Sequence, residues 1–450
     1  MPPSSQPRIV RSERLDAPVQ VPVAIVGGGA CGLMAAIALR DAGVECVVLE
    51  RDAVPSGSTA LSSGFIPAAG TRVQAARQIA DSVAVFAEDI VGKAKGTAAS
   101  HLVRAYTQAT APALDRLGDH GLRFEVLENF LYPGHRVHRM HSLSERTGAA
   151  LVAAMHACAT AAGADLLTSA RVTELWVDGQ DRVLGVGMER PGGTMEHIAC
   201  DELLLACNGF GGNPALVREL LPQMRDALFA GHAGNDGSAI LWGRALGAAL
   251  ADLGAYQGHG SWVVPQGALM TWAVMMEGGV QLNARGQRFH DEMQGYSEAA
   301  VDVLAQPGGI AWNVFGDRQL ALAREFPDFR EAEAAGALRT AADRDALAAI
   351  IGCDTAALAP EIERFGPPFH AVRVTGALFH TQGGLDIDER CRVRRSGGGL
   401  FPNLLAAGGA ARGVSGNAVW GYLSGNGLLS AIAGGWIAAH TAVAQLVSRK

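Results

Sequence analysis

The first residues with recognisable chemistry are the glycines of Gly27-x-Gly29-x-x-Gly32, followed about 20 residues later by the carboxylate of Glu50. Gly27 permits a tight turn, Gly29 lets the backbone approach a pyrophosphate, and Gly32 lets a helix pack closely on a strand. Glu50 can accept hydrogen bonds from both hydroxyls of a ribose, and its charge repels a 2′-phosphate. These residues at this spacing predict a site for FAD or NAD rather than NADP.

A phenol able to move a proton stands in the segment "HDEMQGYSEAA" (290–300), and Tyr296 is one of only five tyrosines in the 450-residue chain. An unperturbed tyrosine titrates near pH 10, so a tyrosine acting as a base at neutral pH needs a partner or a concerted transfer. The alternative interpretation is a half-buried tyrosine that packs the interior.

The glycine series needs particular elements around it. An apolar, β-branched run (Val21 to Val26) precedes it, an Ala/Leu-rich helix is predicted over about 30–42, and a second apolar run ends at Glu50. This order predicts a βαβ unit, in which the free N–H groups at the start of the helix attract phosphate.

Three further segments are rich in glycine. The segment "PSGSTALSSGFIPAAG" (55–70) follows the second apolar run, and "CDELLLACNGFGGNPALV" (200–217) is an apolar strand that runs into a glycine-rich turn. The segment "GLFPNLLAAGG…GNGLLSAIAGGWIAAHTA" (399–442) ends in a helix of small residues that follows another glycine-rich loop. Four such segments between residues 27 and 427 predict one large ligand that both ends of the chain contact. Of the two dinucleotides left open above, this favours FAD over NAD. Four unrelated loops would not explain their order.

Composition excludes several classes of protein. The chain is 49% hydrophobic and long enough for more than one domain with a sizeable core. Charged residues make up 18% and the net charge is −7, which argues against a nucleic-acid partner and against a basic membrane patch. A small-molecule partner is expected.

Metal and membrane signals are weak. The seven cysteines form no CxxC pair and no Cys/His finger spacing, so no metal site is predicted. The N-terminus lacks the apolar region of a signal peptide, and no 18-residue run without charge has the composition of a spanning helix. We therefore predict a cytoplasmic protein without a membrane span, whose residues 1–20 form a disordered arm.

Six motifs in order resemble the fumarate reductase/succinate dehydrogenase flavoprotein superfamily, in particular its soluble branch of fumarate and urocanate reductases, tricarballylate dehydrogenase and 3-ketosteroid dehydrogenases. The resemblance runs from about residue 22 to 442 and rests on the front glycine series, "GSTALSSG", "LLACNGFGGN", "LNARGQRFHDE", "ALFHTQGGLDID" and "NLLAAGG…GYLSGNGLLSA".

The resemblance implies an α/β fold, in which a Rossmann-like FAD-binding domain (21–222 and 366–450) carries an inserted α+β substrate-capping domain (223–365). Helical patterns over 328–351 agree with such an insert. The prolines of "FGPPFHAVRV" (365–374) are typical of a chain that leaves one domain and begins a strand of another.

The resemblance also implies which residues bind FAD. Ser58 stands where members with covalent flavin have a histidine, so non-covalent FAD is expected. Gly409 replaces the carboxylate that commonly holds the ribityl chain, which leaves that contact to another group. The implied cofactor residues are Gly27, Gly29, Ala30, Gly32, Glu50, Arg51, Ser58, Thr59, Ser63, Gly64, Val172, Asn208, Gly209, Gly408, Gly425, Asn426 and Leu428.

For catalysis, the resemblance places Tyr296 where soluble fumarate reductases have an arginine and ketosteroid dehydrogenases have a proton-abstracting tyrosine. His259 and His380 fall at positions that hold a substrate carboxylate, although a lone histidine is more often a core or surface residue. Tyr422 replaces the second anchoring arginine, which favours a carbonyl or monocarboxylate over a dicarboxylate.

These residues imply an FAD-dependent dehydrogenase of CH–CH groups that introduces a C=C bond beside the carbonyl of a small or cyclic ketone, a keto acid or a steroid-like substrate. The first alternative is the reverse reaction, an enoate or enone reductase fed by an electron carrier. The second is a flavin-binding sensor or subunit without turnover. The arginine- and histidine-rich segment 132–148 is interpreted as a loop over the flavin or substrate entrance rather than a metal site, with Arg139 or His141 available to an anionic substrate.

Overall fold

A computed structural model of the chain describes residues 6–129 and 131–449. Its strands are β1 (Arg8–Arg11), β2 (Val19–Val26), β3 (Cys46–Leu49), β4 (Ile66–Pro67), β5 (Glu125–Val126), β6 (Met140–Ser142), β7 (Asp165–Leu167), β8 (Arg171–Val177), β9 (Val183–Glu189), β10 (Met195–Leu205), β11 (Leu228–Phe229), β12 (Leu250–Ala251), β13 (Tyr256–Val263), β14 (Ala268–Leu269), β15 (Val280–Leu282), β16 (Ile310–Phe315), β17 (Leu338–Ala341), β18 (Phe369–Thr381), β19 (Gly384–Leu385), β20 (Arg392–Arg394) and β21 (Leu400–Ala406). Its helices are α1 (Ala30–Asp41), α2 (Gly57–Ala60), α3 (Arg72–Ala76), α4 (Val83–Lys93), α5 (Ser100–Asp119), α6 (Gly148–Ala161), α7 (Pro214–Leu220), α8 (Ser238–Leu246), α9 (Ala273–Met276), α10 (Tyr296–Leu304), α11 (Asp317–Ala323), α12 (Pro327–Ala334), α13 (Arg344–Ile351) and α14 (Asn426–Ser448).

The chain divides into two compact units. The first contains the described residues up to Leu220, Gly231–Ala255, and those from His380 onward. The second contains Leu221–Ala230 and Tyr256–Phe379. Both units combine helices with a sheet, which confirms the α/β class.

The first unit is built on a sheet whose central strands are parallel. Strands β21, β10, β2, β3 and β7 lie side by side in that order, and every neighbouring pair among them is parallel. The last four residues of β2 and all of β3 are buried, as expected for parallel strands covered on both faces. The predicted strand–helix–strand order around the glycine series is therefore confirmed, with α1 starting at Ala30.

Helix α14 packs against α1 and α5 in the interior of the first unit. A Cβ atom at Gly435 would lie 2.3 Å from the Cys31 carbonyl oxygen, so small residues permit the close approach of the two helices. By length and composition α14 could cross a membrane, contrary to the sequence-based expectation that no segment has that composition. However, 61% of its most apolar 18-residue window is buried inside the protein, as in a core helix.

The N-terminal segment is more ordered than the sequence suggests. Arg8–Arg11, assigned above to a disordered arm, form β1, which pairs in parallel with β8 so that Ile9 lies opposite Leu175. Backbone hydrogen bonding to the edge strand of the large sheet explains this order. Residues 1–5 of the predicted arm lie outside the described residues.

The second unit has its own sheet, ordered β14, β13, β18, β16, β15, with β11 and β17 also paired to β18. The expectation of helix over 328–351 is only partly right. Helix α12 ends at Ala334, Gly336 turns the chain at φ +78°, and β17 pairs antiparallel with β18 before α13 begins. The helical propensity of this alanine-rich stretch is overridden by pairing to an available strand.

Candidate active site

The glycine turn after β2 leaves no room for side chains. Gly27 has φ +111°, and a Cβ atom there would lie 2.5 Å from the Ala206 carbonyl oxygen. At Gly32 it would lie 2.0 Å from the Gly27 carbonyl oxygen. Helix α1 begins after Gly29, which has no side chain to cap it; the Ala30 N–H is bonded to Thr59 Oγ1, and the N–H groups that follow it suit phosphate.

Glu50 follows β3 and joins that turn to the next loop. Its carboxylate is buried; Oε2 accepts from the Gly28 N–H at 2.8 Å and Oε1 from the Asp52 N–H at 2.9 Å. The neighbouring Arg51 is ion-paired with Asp236 at 3.4 Å. Val172 lies buried in β8, a strand of the sheet that also contains β3.

Helix α2 brings two hydroxyls to the same region. Thr59 Oγ1 accepts from the Ala30 N–H at 3.1 Å. Ser58 Oγ accepts from the side-chain amides of Asn208 at 2.8 Å and Asn235 at 3.1 Å. Because both amide nitrogens only donate, the Ser58 hydroxyl proton remains available to a further acceptor. Ser63 and Gly64 lie in the turn that follows α2, Gly64 with φ +71°.

The unusual glycine at 409 has a structural explanation. A Cβ atom at Gly409 would lie 2.2 Å from Asn208 Oδ1, so the Asn208 side chain occupies the space that a side chain at 409 would take. Asn208 adopts φ +67° and its Oδ1 accepts from the Gly209 N–H at 2.9 Å. At Gly209 a Cβ would lie 1.9 Å from Thr381 Oγ1. A side chain at 409 would therefore collide with Asn208.

Buried acceptors test whether these residues fit FAD. Among the residues that the structure describes, Asn235 Oδ1 and Asn426 Oδ1 are buried and have no hydrogen-bond partner. Helix α14, like α1, begins after a glycine, Gly425, which has no side chain to cap it. Open acceptors suit the N–H groups of a flavin or adenine, and open helix N-termini suit its polar oxygens and phosphates. Gly408, at φ +60°, and Leu428 lie near these ends of the chain.

His380 and Tyr422 come together in the first unit. Their ring centroids are 5.7 Å apart in an edge-on arrangement. Removal of the His380 ring from water lowers its pKa to about 4, so this imidazole is neutral at pH 7.

His259 and Tyr296 come together in the second unit. The two rings stack with centroids 4.9 Å apart and planes inclined by 19°. Trp272 meets His259 edge-on at 5.8 Å, and Phe379 lies at the same centroid distance. Burial lowers the pKa of His259 to about 3, and its Nδ1 accepts from the Ser261 N–H at 3.1 Å, so the ring is neutral with its proton on Nε2.

The expectation that Arg139 or His141 meets an anionic substrate is wrong. The Arg139 guanidinium is fully buried and binds Asp81 at 2.9 Å and Asp89 at 2.5 Å. The ring nitrogens of His141 bind Thr71 Oγ1 at 2.8 Å and the Arg139 carbonyl oxygen at 2.9 Å. The arginine- and histidine-rich segment is held by internal partners, and within residues 6–129 and 131–449 no group of three His, Cys, Asp or Glu could hold a metal ion.

Sequence reasoning missed Asn235, Gln382 and Ser415. Asn235 donates to Ser58 as described above. Gln382 donates a hydrogen bond to His380 Nδ1 at 3.1 Å, and its Oε1 accepts one from Ser415 Oγ. The position of Gln382 inside "HTQGG", next to a candidate histidine, was an available signal. Ser415 and Asn235 carried none, because only the fold brings them to these partners.

The model of an FAD binding domain family matches residues 22–428 of the chain. The chain therefore belongs to this family of FAD-binding proteins, which confirms FAD as its cofactor and its assignment to the fumarate reductase-like flavoproteins.

Relatives agree with the assignment, and a solved structure shares the fold. The chain is 26% identical over 450 residues to an NADH:fumarate oxidoreductase of Klebsiella pneumoniae, covering 95% of this chain and 48% of the relative. It is 26% identical over 461 residues to a cytochrome-type fumarate reductase of Shewanella frigidimarina, covering 96% and 79%. The chain thus spans about half the length of the Klebsiella protein. The structure of a 3-ketosteroid-Δ4-(5α)-dehydrogenase of Rhodococcus jostii shares the fold, with a TM-score of 0.77, 22% identity, and coverage of 97% of this chain and 99% of that one.

Proposed function

We propose that this flavoprotein oxidoreductase introduces a C=C bond beside the carbonyl of a small or cyclic ketone, keto acid or steroid-like compound. The observation that carries the proposal is the stacked pair of Tyr296 and a neutral His259 in the second unit. A phenol beside an uncharged imidazole suits proton transfer at carbon better than the binding of a second carboxylate.

Bound FAD supplies the acceptor for a hydride and its electron pair. Tyr296, as its phenolate, accepts at Oη the proton from the carbon next to the carbonyl. Tyr296 is the first residue of α10, where the helix dipole favours the negatively charged phenolate that this step requires. Stacking on His259 holds the ring of Tyr296 in one orientation.

The groups proposed for the carbonyl oxygen are Tyr422 and His380. Tyr422 Oη and the neutral His380 ring can both donate hydrogen bonds that strengthen as enolate charge develops on that oxygen. Tyr422 stands where a second arginine would bind a dicarboxylate, and this favours a substrate with a carbonyl or a single carboxylate.

Reduction in the opposite direction is the second candidate, favoured by the reductases among the relatives, which include proteins named fumarate reductase and urocanate reductase. Tyr296 would then donate its proton to carbon, and an external electron carrier would reduce the flavin.

The test of the proton-transfer role is Tyr296→Phe. Loss of a positioned acid–base group should lower turnover by about 10²–10⁴-fold while FAD stays bound. Flavin bleaching by a panel of cyclic ketones, ketosteroids and keto acids, followed anaerobically, measures it. Tyr256→Phe is the matched control, because this tyrosine is buried in the same unit and has no assigned role. Near-normal bleaching in Tyr296→Phe would contradict the proposal.

The same anaerobic flavin measurement distinguishes the candidate functions. Bleaching by a saturated ketone supports desaturation, whereas reoxidation of the reduced flavin by an unsaturated acid supports reduction. A flavin spectrum that no carbonyl compound perturbs would instead indicate a sensor or subunit without turnover.

A further inference from the structure

A row of four polar side chains, three of them buried, ends at His380. Asn426 Nδ2 lies 2.9 Å from Ser415 Oγ, Ser415 Oγ lies 3.2 Å from Gln382 Oε1, and Gln382 Nε2 lies 3.1 Å from His380 Nδ1. Asn426, Ser415 and Gln382 are each at least 95% buried. The row joins a candidate cofactor residue to a candidate catalytic one.

Each hydrogen bond in the row has a fixed direction. The Asn426 amide nitrogen only donates, so Ser415 Oγ accepts there and its own proton is donated to Gln382 Oε1. With Oε1 turned to Ser415, the Gln382 nitrogen is turned to His380 and donates to Nδ1. This orientation of the Gln382 amide gives a partner to Ser415 Oγ, to both polar atoms of the amide and to His380 Nδ1.

The direction of the last bond decides the protonation of His380. A nitrogen that accepts a hydrogen bond carries no proton, so the proton of the neutral ring is on Nε2. The Thr381 carbonyl oxygen lies farther from Nδ1, at 3.4 Å. The Nε2 edge of the ring lies against Gly427, where a Cβ atom would come within 3.0 Å of Nε2, so a side chain at 427 would crowd that nitrogen.

We propose that Gln382 is a positioning residue that fixes His380 as the Nε2–H tautomer, with Ser415 and Asn426 holding the Gln382 amide in the required orientation. The inference rests on the proposed function, in which His380 Nε2–H donates to the carbonyl oxygen of the substrate. The lowered pKa of His380 agrees with a ring that stays neutral at pH 7.

Two substitutions of Gln382 distinguish the effect of its hydrogen bond to His380 from the effect of its size. Gln382→Glu presents only acceptors to Nδ1, so it should move the proton to Nδ1 or create a doubly protonated ring. Gln382→Met keeps a side chain of similar size but cannot donate, so both neutral tautomers should appear.

The direct readout is the ¹⁵N spectrum of histidine-labelled, FAD-loaded protein at pH 7, with His380 assigned from the signal lost in His380→Asn. We expect a bare Nδ1 and a protonated Nε2 in the parent protein, and a protonated Nδ1 in Gln382→Glu. A protonated Nδ1 in the parent protein, or the same tautomer in parent and Gln382→Glu, would overturn the inference whether or not any substrate is turned over.

Turnover provides the second readout. Removal of a preorganised donor from the carbonyl oxygen should lower kcat by about 10²-fold in Gln382→Glu, with a new pH dependence as the histidine–carboxylate pair titrates. The kcat of Gln382→Met should fall less, since His380 keeps its proton on Nε2 in part of the molecules. If the parent protein turns over no carbonyl compound, the proposed function fails while the spectrum still decides the tautomer. If the spectra change as expected but kcat and its pH profile do not, the positioning role is refuted.

Discussion

Glu50 illustrates how a single residue serves the predicted site. Both of its carboxylate oxygens accept backbone N–H groups, one from the glycine turn and one from the loop after β3. The carboxylate therefore shapes the turn as well as offering its remaining lone pairs to a ribose, a double role that spacing alone does not reveal.

Replacing Glu50 by Gln tests this role. The new amide NH₂ must face one of the two backbone donors, which leaves that buried N–H unsatisfied and costs about 1–3 kcal/mol. We expect the Kd for FAD to rise about tenfold, equivalent to 1.4 kcal/mol, in reconstitution of the apoprotein followed by flavin fluorescence. Glu45→Gln, at an exposed position, is the control. An unchanged Kd in Glu50→Gln would show that the carboxylate does not shape the cofactor site.

At the scale of elements, α10 positions Tyr296 because it lies directly on glycines of β13 and β18. Cβ atoms at Gly258 and Gly260 would come within 2.8 Å and 2.7 Å of Ala300 and Ala299, and one at Gly376 would lie 2.3 Å from the Ala300 carbonyl oxygen. The helix thus approaches the sheet as closely as its backbone permits.

Gly376→Ala should therefore displace α10 and separate Tyr296 from His259. Overpacking of this kind typically costs about 1–3 kcal/mol, so urea denaturation should show a lower free energy of unfolding, and turnover should fall with it. Gly118→Ala in α5 is the matched control: nothing lies within 4 Å of its Cβ position, and alanine favours a helix by about 0.5–1 kcal/mol. Equal stability of the two variants would contradict close packing of α10.

At the scale of the whole molecule, buried histidines make the protein sensitive to acid. Burial lowers the pKa of His135 and His141 to about 4 and that of His259 to about 3, whereas an unfolded histidine titrates near 6.5. Between these values the unfolded state binds more protons than the folded state. The stabilisation is fully present above pH 6.5 and is lost as the pH falls toward the folded pKa values.

We expect the free energy of unfolding to fall by several kcal/mol between pH 7 and pH 5, since these three histidines alone give a slope of up to about 4 kcal/mol per pH unit and the lowered pKa of His380 adds to it. His141→Asn keeps a donor for the Arg139 carbonyl oxygen but cannot titrate, so its pH dependence should be shallower. The exposed His440→Asn should retain the parent slope. Urea titrations at each pH measure both, and identical slopes in all three proteins would refute the histidine origin.

Motifs and their spacing were enough to predict the parts of this protein that depend on local order. The glycine series, the apolar runs beside it and the acidic residue after the second run specify a strand, a turn, a helix and a strand, because each glycine there meets a backbone constraint set by its immediate neighbours. The order of the six motifs was sufficient to predict an FAD-binding α/β fold.

Contacts between residues far apart in the chain could be read only from the folded structure. Only the fold places Asn208 in the space beside Gly409 and turns the Gln382 amide toward His380. It also pairs the Arg139 guanidinium with two aspartates. Pairing with β18 likewise replaced predicted helix by β17. Spacing in sequence cannot encode these outcomes, because they depend on which donors, acceptors and unpaired strand edges the chain brings together after it folds.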